Sequence, residues 1–306
     1  MKAIMYHYVR EHNTKYPNFR YLDIANFRKQ LDFFKEEFGF LSKQDWDKFT
    51  NSGIFPENPN QIILTFDDAM SCHFDYVFPE LINRNLWGIF YIPTGPYQSG
   101  QILDVHKIHL LCGAFDGKEL HNLLLQRINQ EMIPDTRRKE FHSETYKDKE
   151  YTGVAEFKRI LNYFISYKYR QNVIDNIAKT LSFEFPKNFY VKKENLKVMA
   201  DKGMVLGSHT VDHPLMSKLS KTEQAEQIKS SFQFLDEIGC KDIKTYCHPY
   251  GGFHSFDKQT IDILHLEEVA YSFNVNSRDI NKDDFEQSRQ YLPRYDCNEF
   301  NFGKAS

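Results

Sequence analysis

Short apolar runs rich in β-branched and aromatic residues alternate along this chain with segments whose apolar residues recur every three or four positions. Strand following helix following strand commits a chain to a parallel sheet, open or closed into a barrel, with helices packed against it. Residues 3–9, 61–67, 87–92, 203–208, 243–248, 268–274 and 290–294 read as strands, and residues 24–38, 74–85, 194–202, 221–238 and 256–266 as helices. Asp23 is placed to cap the first helix and Gly39 to end it. Residues 97–190 break the rhythm. They are mostly polar, helical in pattern, and interleave basic with acidic residues, as at 135–140 and 146–150. With 306 residues, 41% of them hydrophobic, the chain can form one large domain over 1–306 that carries this stretch as a helical insertion. Such an insertion serves as a solvated cap, a lid, or a contact between copies in a homo-oligomer.

The formal charge of -3 gives no electrostatic case for nucleic acid as a partner. No uninterrupted apolar run is long enough to span a membrane. The five cysteines (72, 112, 240, 247, 297) are scattered, with no Cys-x-x-Cys pair, which argues for a reducing compartment. The first residues lack the apolar core and cleavage site of a signal peptide, so the expected location is cytoplasmic.

The strand Ile62–Phe66 runs into two adjacent carboxylates, Asp67 and Asp68, and a later strand runs into Gly207-Ser208-His209-Thr210-Val211-Asp212-His213-Pro214. Two imidazoles and one carboxylate hold a divalent ion while leaving coordination positions open, as catalytic sites require. The second carboxylate would then stand beside the ion as a base towards an attacking water. Alone, an Asp pair after a strand reads as a cap or turn, and a His before Pro as a turn residue. Both segments at strand C-termini, where barrels keep their chemistry, point to metal-assisted hydrolysis. Cys72 and His73 offer an alternative ligand set, weakened by the lack of a second Cys nearby. His106 and His109 read as ordinary surface or helix residues or as substrate contacts, and Trp46 and Trp87 as core.

Thr65-Phe66-Asp67-Asp68, followed by His209-x-x-x-His213-Pro214 and Tyr246-Cys247-His248-Pro249-Tyr250-Gly251, resembles the polysaccharide deacetylase family, the NodB-homology domain of carbohydrate esterase family 4. The resemblance covers residues 1–96 and 194–296. It implies a distorted, incomplete (β/α) barrel and one divalent metal ion, zinc or another first-row ion. It also implies that Asp67 is the catalytic base, that Asp68, His209 and His213 bind the metal, and that the Tyr250 backbone N–H helps form an oxyanion hole. Two departures stand out. Cys247 occupies a position where relatives often carry the Arg that orients the base, and Arg294, in Leu292-Pro293-Arg294, is the expected substitute. A late Leu-x-His, whose His is the family's general acid, is absent. Met5-Tyr6-His7 instead resembles the first-strand Tyr-His of the poly-N-acetylglucosamine deacetylases, which implies that His7 is the acid.

These residues lead to the expectation of a metal-dependent hydrolase that removes an N-acetyl group from an amino sugar in surface polysaccharide (O-antigen or capsule) biosynthesis. O-deacetylation is open to the same site. Two alternatives stand beside it: hydrolysis of another non-peptide C–N bond, of cyclic imide or ureide type, and a non-catalytic glycan-binding relative.

Overall fold

The structure is a computed structural model that describes residues 1–142, 153–240 and 243–305; the charged run at 146–150 lies outside them. The chain divides into two compact units. The first comprises Met1–Glu11, Tyr21–Gln101 and Asn188–Ser306, and the second His12–Arg20 and Ile102–Lys187.

Among the described residues the first unit carries nine strands: β1 (Lys2–Tyr6), β2 (Val9–Arg10), β3 (Leu22–Asp23), β4 (Ile62–Asp67), β5 (Ile89–Ile92), β6 (Val205–Ser208), β7 (Thr245–Cys247), β8 (Tyr271–Phe273) and β9 (Tyr295–Asp296). Seven form one all-parallel sheet in the order β8-β7-β6-β5-β4-β1-β9, and β2 pairs with β3 in a separate short ladder. Side chains alternate faces along each strand. Ile4, Tyr6, Leu64, Phe66, Phe90, Ile92, Leu206 and Tyr246 meet the apolar stripes of the helices Ile24–Glu37, Lys193–Asp201, Lys221–Glu237 and Lys258–Leu266. Ala3, Ile63, Ile89, Tyr91, Val205, Cys247, Tyr271 and Phe273 gather on the opposite, concave side. Trp46 and Phe49 join that inner cluster, and the Trp46 indole N–H donates to the Tyr271 hydroxyl at 3.0 Å.

The fold is thus α/β, with a parallel sheet curled into an incomplete barrel. Its two edges are brought together by residues 292–296. Leu292 bridges Phe273 on β8, and Tyr295 and Asp296 pair with Ile4 and Met5 on β1. The expected strand at 290–294 is therefore corrected. Arg289–Tyr291 form a 3₁₀ turn and the strand follows at Tyr295, because Pro293 has no N–H to give a ladder. The helix expected at 74–85 opens as a π turn, His73–Val77, and becomes α-helical at Phe78, where Pro79 lacks the N–H that would bond back to residue 75. The first strand ends at Tyr6 rather than residue 9. Helix entries follow the sequence closely: the Asp23 carboxylate accepts from Ala25 N–H, and Ser220 with Glu223 forms a capping box.

The second unit is helical. Asp104–Ala114, Gly117–Leu125, Asp135–His142, Gly153–Arg159 and Tyr167–Thr180 surround a core that includes Ile108, Leu111, Leu120, Phe157, Leu161 and Ile174. Lys107 pairs with Asp175 at 2.7 Å and Arg170 with Asp104 at 2.9 Å, tying its first and last helices. The segment His12–Arg20 belongs to this unit, with Asn18 N–H donating to the Gly113 carbonyl at 2.9 Å. His106 and His109 lie on its first helix, their rings 6.1 Å apart. No helix among the described residues is long and apolar enough to cross a membrane.

Candidate active site

Asp67 is the last residue of β4 and shares the concave face with Ile63 and Thr65, so its carboxylate points inward. The chain then turns sharply, with Asp68 at φ 81° and Ala69 at φ 50°. Nine non-glycine residues have positive φ among the described residues; Asp68, Ala69, Thr210, His213 and Tyr250 are five of them. A left-handed non-glycine residue costs about 1–2 kcal/mol, so strain concentrates in the three loops that carry the candidate motifs.

The loop after β6 brings its two imidazoles together. His213 N–H donates to the Thr210 hydroxyl at 3.0 Å, and the His209 and His213 rings lie 4.7 Å apart, edge to face. Gln227, on the helix Lys221–Glu237, accepts from Val211 N–H at 3.0 Å and Asp212 N–H at 2.9 Å. On the other flank the Thr94 and Gly95 N–H groups donate to the Thr210 and Val211 carbonyls. Gly207 permits the close approach beneath: a Cβ there would meet the Tyr91 ring at 2.5 Å.

Asp68 Oδ1 lies 3.6 Å from His209 Nε2 and 3.7 Å from His213 Nε2. These separations exceed a hydrogen bond, but two donors each about 2.1 Å from one tetrahedral ion stand about 3.4 Å apart. His209 Nδ1 lies 2.8 Å from the Cys247 carbonyl, which can only accept, so Nδ1 carries the proton and Nε2 keeps its lone pair. Burial pushes the His209 pKa down against the pull of Asp67 and Asp68, favouring the neutral ring a metal needs. The trio fits a divalent ion. A second group, Asp67, His209 and Cys247, has similar spacing, but burial pushes the Cys247 thiol far up, and Asp67 is engaged elsewhere. Cys72 and His73 join neither group, and burial raises the Cys72 thiol to about 11.

Asp67 is chelated by Arg294, with Nη1 donating to Oδ1 and Nη2 to Oδ2, both at 2.8 Å. Arg294 is fully buried and all five of its N–H groups find acceptors. The other three reach the Asn274 carbonyl, the Thr65 hydroxyl and the Cys247 sulfur. Burial alone would raise the Asp67 pKa; the guanidinium outweighs it and holds the carboxyl at about 2. The carboxylate is ionised at every working pH and retains lone pairs for a further hydrogen bond. Cys247 accepts from Arg294 and donates to Asp67 Oδ2 at 3.5 Å.

His7 follows β1, with Nε2 4.0 Å from Asp68 Oδ2 and a side chain 39% exposed. Tyr250 begins the tight turn after β7 at φ 63°, followed by Gly251 at φ 69°, and its ring meets His213 at 4.9 Å. All seven candidate residues therefore converge on one end of the parallel sheet. Sequence reading missed Thr65 and Asn274 as partners of Arg294 and Gln227 as the clamp on the His loop, and it considered His73 only as a metal ligand, whereas its Nε2 lies 2.6 Å from the His7 carbonyl. Thr65 lay within the motif already read; the others gave no local signal.

A family model described as polysaccharide deacetylase matches residues 162–272, which include His209, His213 and Tyr250. Solved structures match nearly the whole chain. The Streptococcus pyogenes deacetylase PplD is 15% identical, with a TM-score of 0.59 over 97% of this chain and 91% of that one. The fold is that of the polysaccharide deacetylases. IcaB from Ammonifex degensii aligns at 15% identity and TM-score 0.56 over 96% and 91% of the two chains. A de-N-acetylase from Aggregatibacter actinomycetemcomitans aligns at 14% and 0.52 over 96% and 93%. No curated protein matches. The fold likeness takes in β1, β4 and β9, which lie outside the residues matched by the family model.

Proposed function

We propose that the protein is a metal-dependent carbohydrate deacetylase that hydrolyses the N-acetyl group of an amino sugar, giving acetate and a free amine. The observation that carries this reading is the buried Asp68, His209 and His213 donor set beside a carboxylate chelated by Arg294. A divalent ion on that set, zinc or another first-row ion, would supply Lewis acidity towards the acetyl carbonyl oxygen. Asp67, fixed by Arg294, accepts the proton of the attacking water. The backbone N–H of Tyr250 faces the oxygen that gains charge as the carbonyl carbon becomes tetrahedral. His7 delivers a proton to the departing nitrogen as the C–N bond breaks, so the amine leaves neutral. PplD was solved in complex with acetate, the product of such a reaction. A role in making a surface polysaccharide, in the cytoplasm, is part of the same proposal; the scattered cysteines, with no Cys-x-x-Cys pair, are consistent with a reducing compartment.

The test is metal content of wild type, Asp68→Ala and His209→Ala, with acetate release followed on N-acetylated amino sugars. One bound divalent ion, lost in both variants, and turnover abolished by Asp67→Asn support the reading. Metal binding without acetate release from N- or O-acetylated sugars redirects it to imide or ureide C–N bonds. Absence of metal after reconstitution overturns it.

A further inference from the structure

His73 is fully buried five residues beyond Asp68, on the first position of the π turn His73–Val77. Its ring is wedged between Phe66, at 5.8 Å, and Phe90, at 5.9 Å. Nε2 lies 2.6 Å from the carbonyl oxygen of His7. A carbonyl can only accept, so Nε2 carries the hydrogen. Nδ1 is buried without a hydrogen-bond partner, and burial pushes the ring's pKa down to about 4, so it is neutral. A phenylalanine would fill this aromatic pocket without leaving an unsatisfied acceptor. What the imidazole adds is the single bond to His7. That bond falls where the β1 ladder stops, since Tyr6 is the last residue paired with β4. π turns inside helices concentrate at functional sites.

We propose that His73 is a positioning residue: its Nε2–H holds the His7 peptide so that the His7 imidazole stays aimed at the leaving group above Asp68. This rests on His7 being the general acid. Loosening that peptide lets the His7 ring swing out of reach without disturbing Asp67 or the metal-binding trio.

The experiment compares two acetyl donors. An N-acetylated amino sugar needs its leaving nitrogen protonated, whereas 4-nitrophenyl acetate releases a stable phenolate that needs no acid. His73→Phe keeps the aromatic packing and removes the donor; His73→Gln keeps a side-chain N–H. The expected result is a fall in kcat of about tenfold or more for His73→Phe on the sugar, with KM and ester hydrolysis close to wild type and most of the loss restored in His73→Gln. An equal fall on both donors, or no fall on either, overturns the proposal. His7→Ala is assayed in parallel. If it lowers both donors equally, the acid role of His7 fails and this inference fails with it. If His7→Ala spares the ester while His73→Phe does not, only the positioning role is lost.

Discussion

Arg294 and Asp67 meet through two parallel N–H···O contacts of 2.8 Å with both side chains almost fully removed from solvent. Breaking a buried pair from one side leaves an uncompensated charge, at about 3–5 kcal/mol. Arg294→Met should lower thermal stability by that order. It should also let burial raise the Asp67 carboxyl, so that acetate release acquires an acid limb within the range where carboxylates titrate, while wild type shows none from this group above pH 4. Arg294→Lys should rescue little, because an ammonium cannot chelate both oxygens. A pH–rate profile of the three proteins checks this; identical acid limbs would refute it.

Gln227 touches no candidate ligand, yet its amide oxygen collects two N–H groups of the His209–His213 loop. Gln227→Leu should weaken metal binding by about tenfold, the low end of the range for outer-shell partners. Gln227→Glu keeps the acceptor but turns the N–H donated to Asp212 Oδ2 at 2.8 Å into a second carboxylate oxygen, so it should recover only part of that loss. Competition against a chelator of known affinity measures both.

At Gly207 an added Cβ would meet Tyr91 at 2.5 Å and Thr245 Cγ2 at 2.7 Å. Gly207→Ala should destabilise by about 1–3 kcal/mol, the range for overpacking. It should also shift β6 and with it His209. Urea unfolding with and without added metal reads both effects; unchanged stability would mean the strand adjusts freely.

His73 and His248 are neutral in the fold, their pKa values pushed by burial from 6.5 to about 4 and about 3. Both are lowered, so the unfolded chain binds more protons and their stabilising effect is present above pH 6.5 and lost as pH falls. Each contributes a loss of about 1.4 kcal/mol per pH unit below 6.5, until its folded value is reached. Asp67 adds a further loss of order 2 kcal/mol between about pH 4 and 2. Denaturant midpoints should therefore fall from about pH 6, before ordinary carboxylates titrate. A flat profile from pH 7 to 5 would contradict the neutral histidines.

The strand-and-helix rhythm was legible because buried parallel strands are near-continuous apolar runs and outer helices keep a 3.6-residue stripe. Asp67, Asp68, His209 and His213 were legible because each pair is contiguous with the strand that aims it. Arg294 was reached only through family resemblance, since nothing local in Leu-Pro-Arg says which carboxylate lies across the barrel. The helix Lys43–Ser52 escaped because only Trp46, Phe49 and Thr50 are buried, too few for a clear period. Gln227, and the bond from His73 to His7, escaped for a different reason. Their partners lie 16 and 66 residues away, and ordinary polar residues gain meaning only from the contact.

The segment that shuts the ring between β8 and β1 is the segment that carries Arg294. Competence is thus tied to completeness. Until Leu292 seats on Phe273 and Tyr295 on Ile4, Asp67 has no cation beside it, and a buried carboxyl without one holds its proton. A partly assembled barrel, with every other strand in place, would be chemically silent. Gentle heating that frays this short closing strand should extinguish turnover while the helices still give their full circular-dichroism signal, making catalysis a gauge of whether the ring is closed.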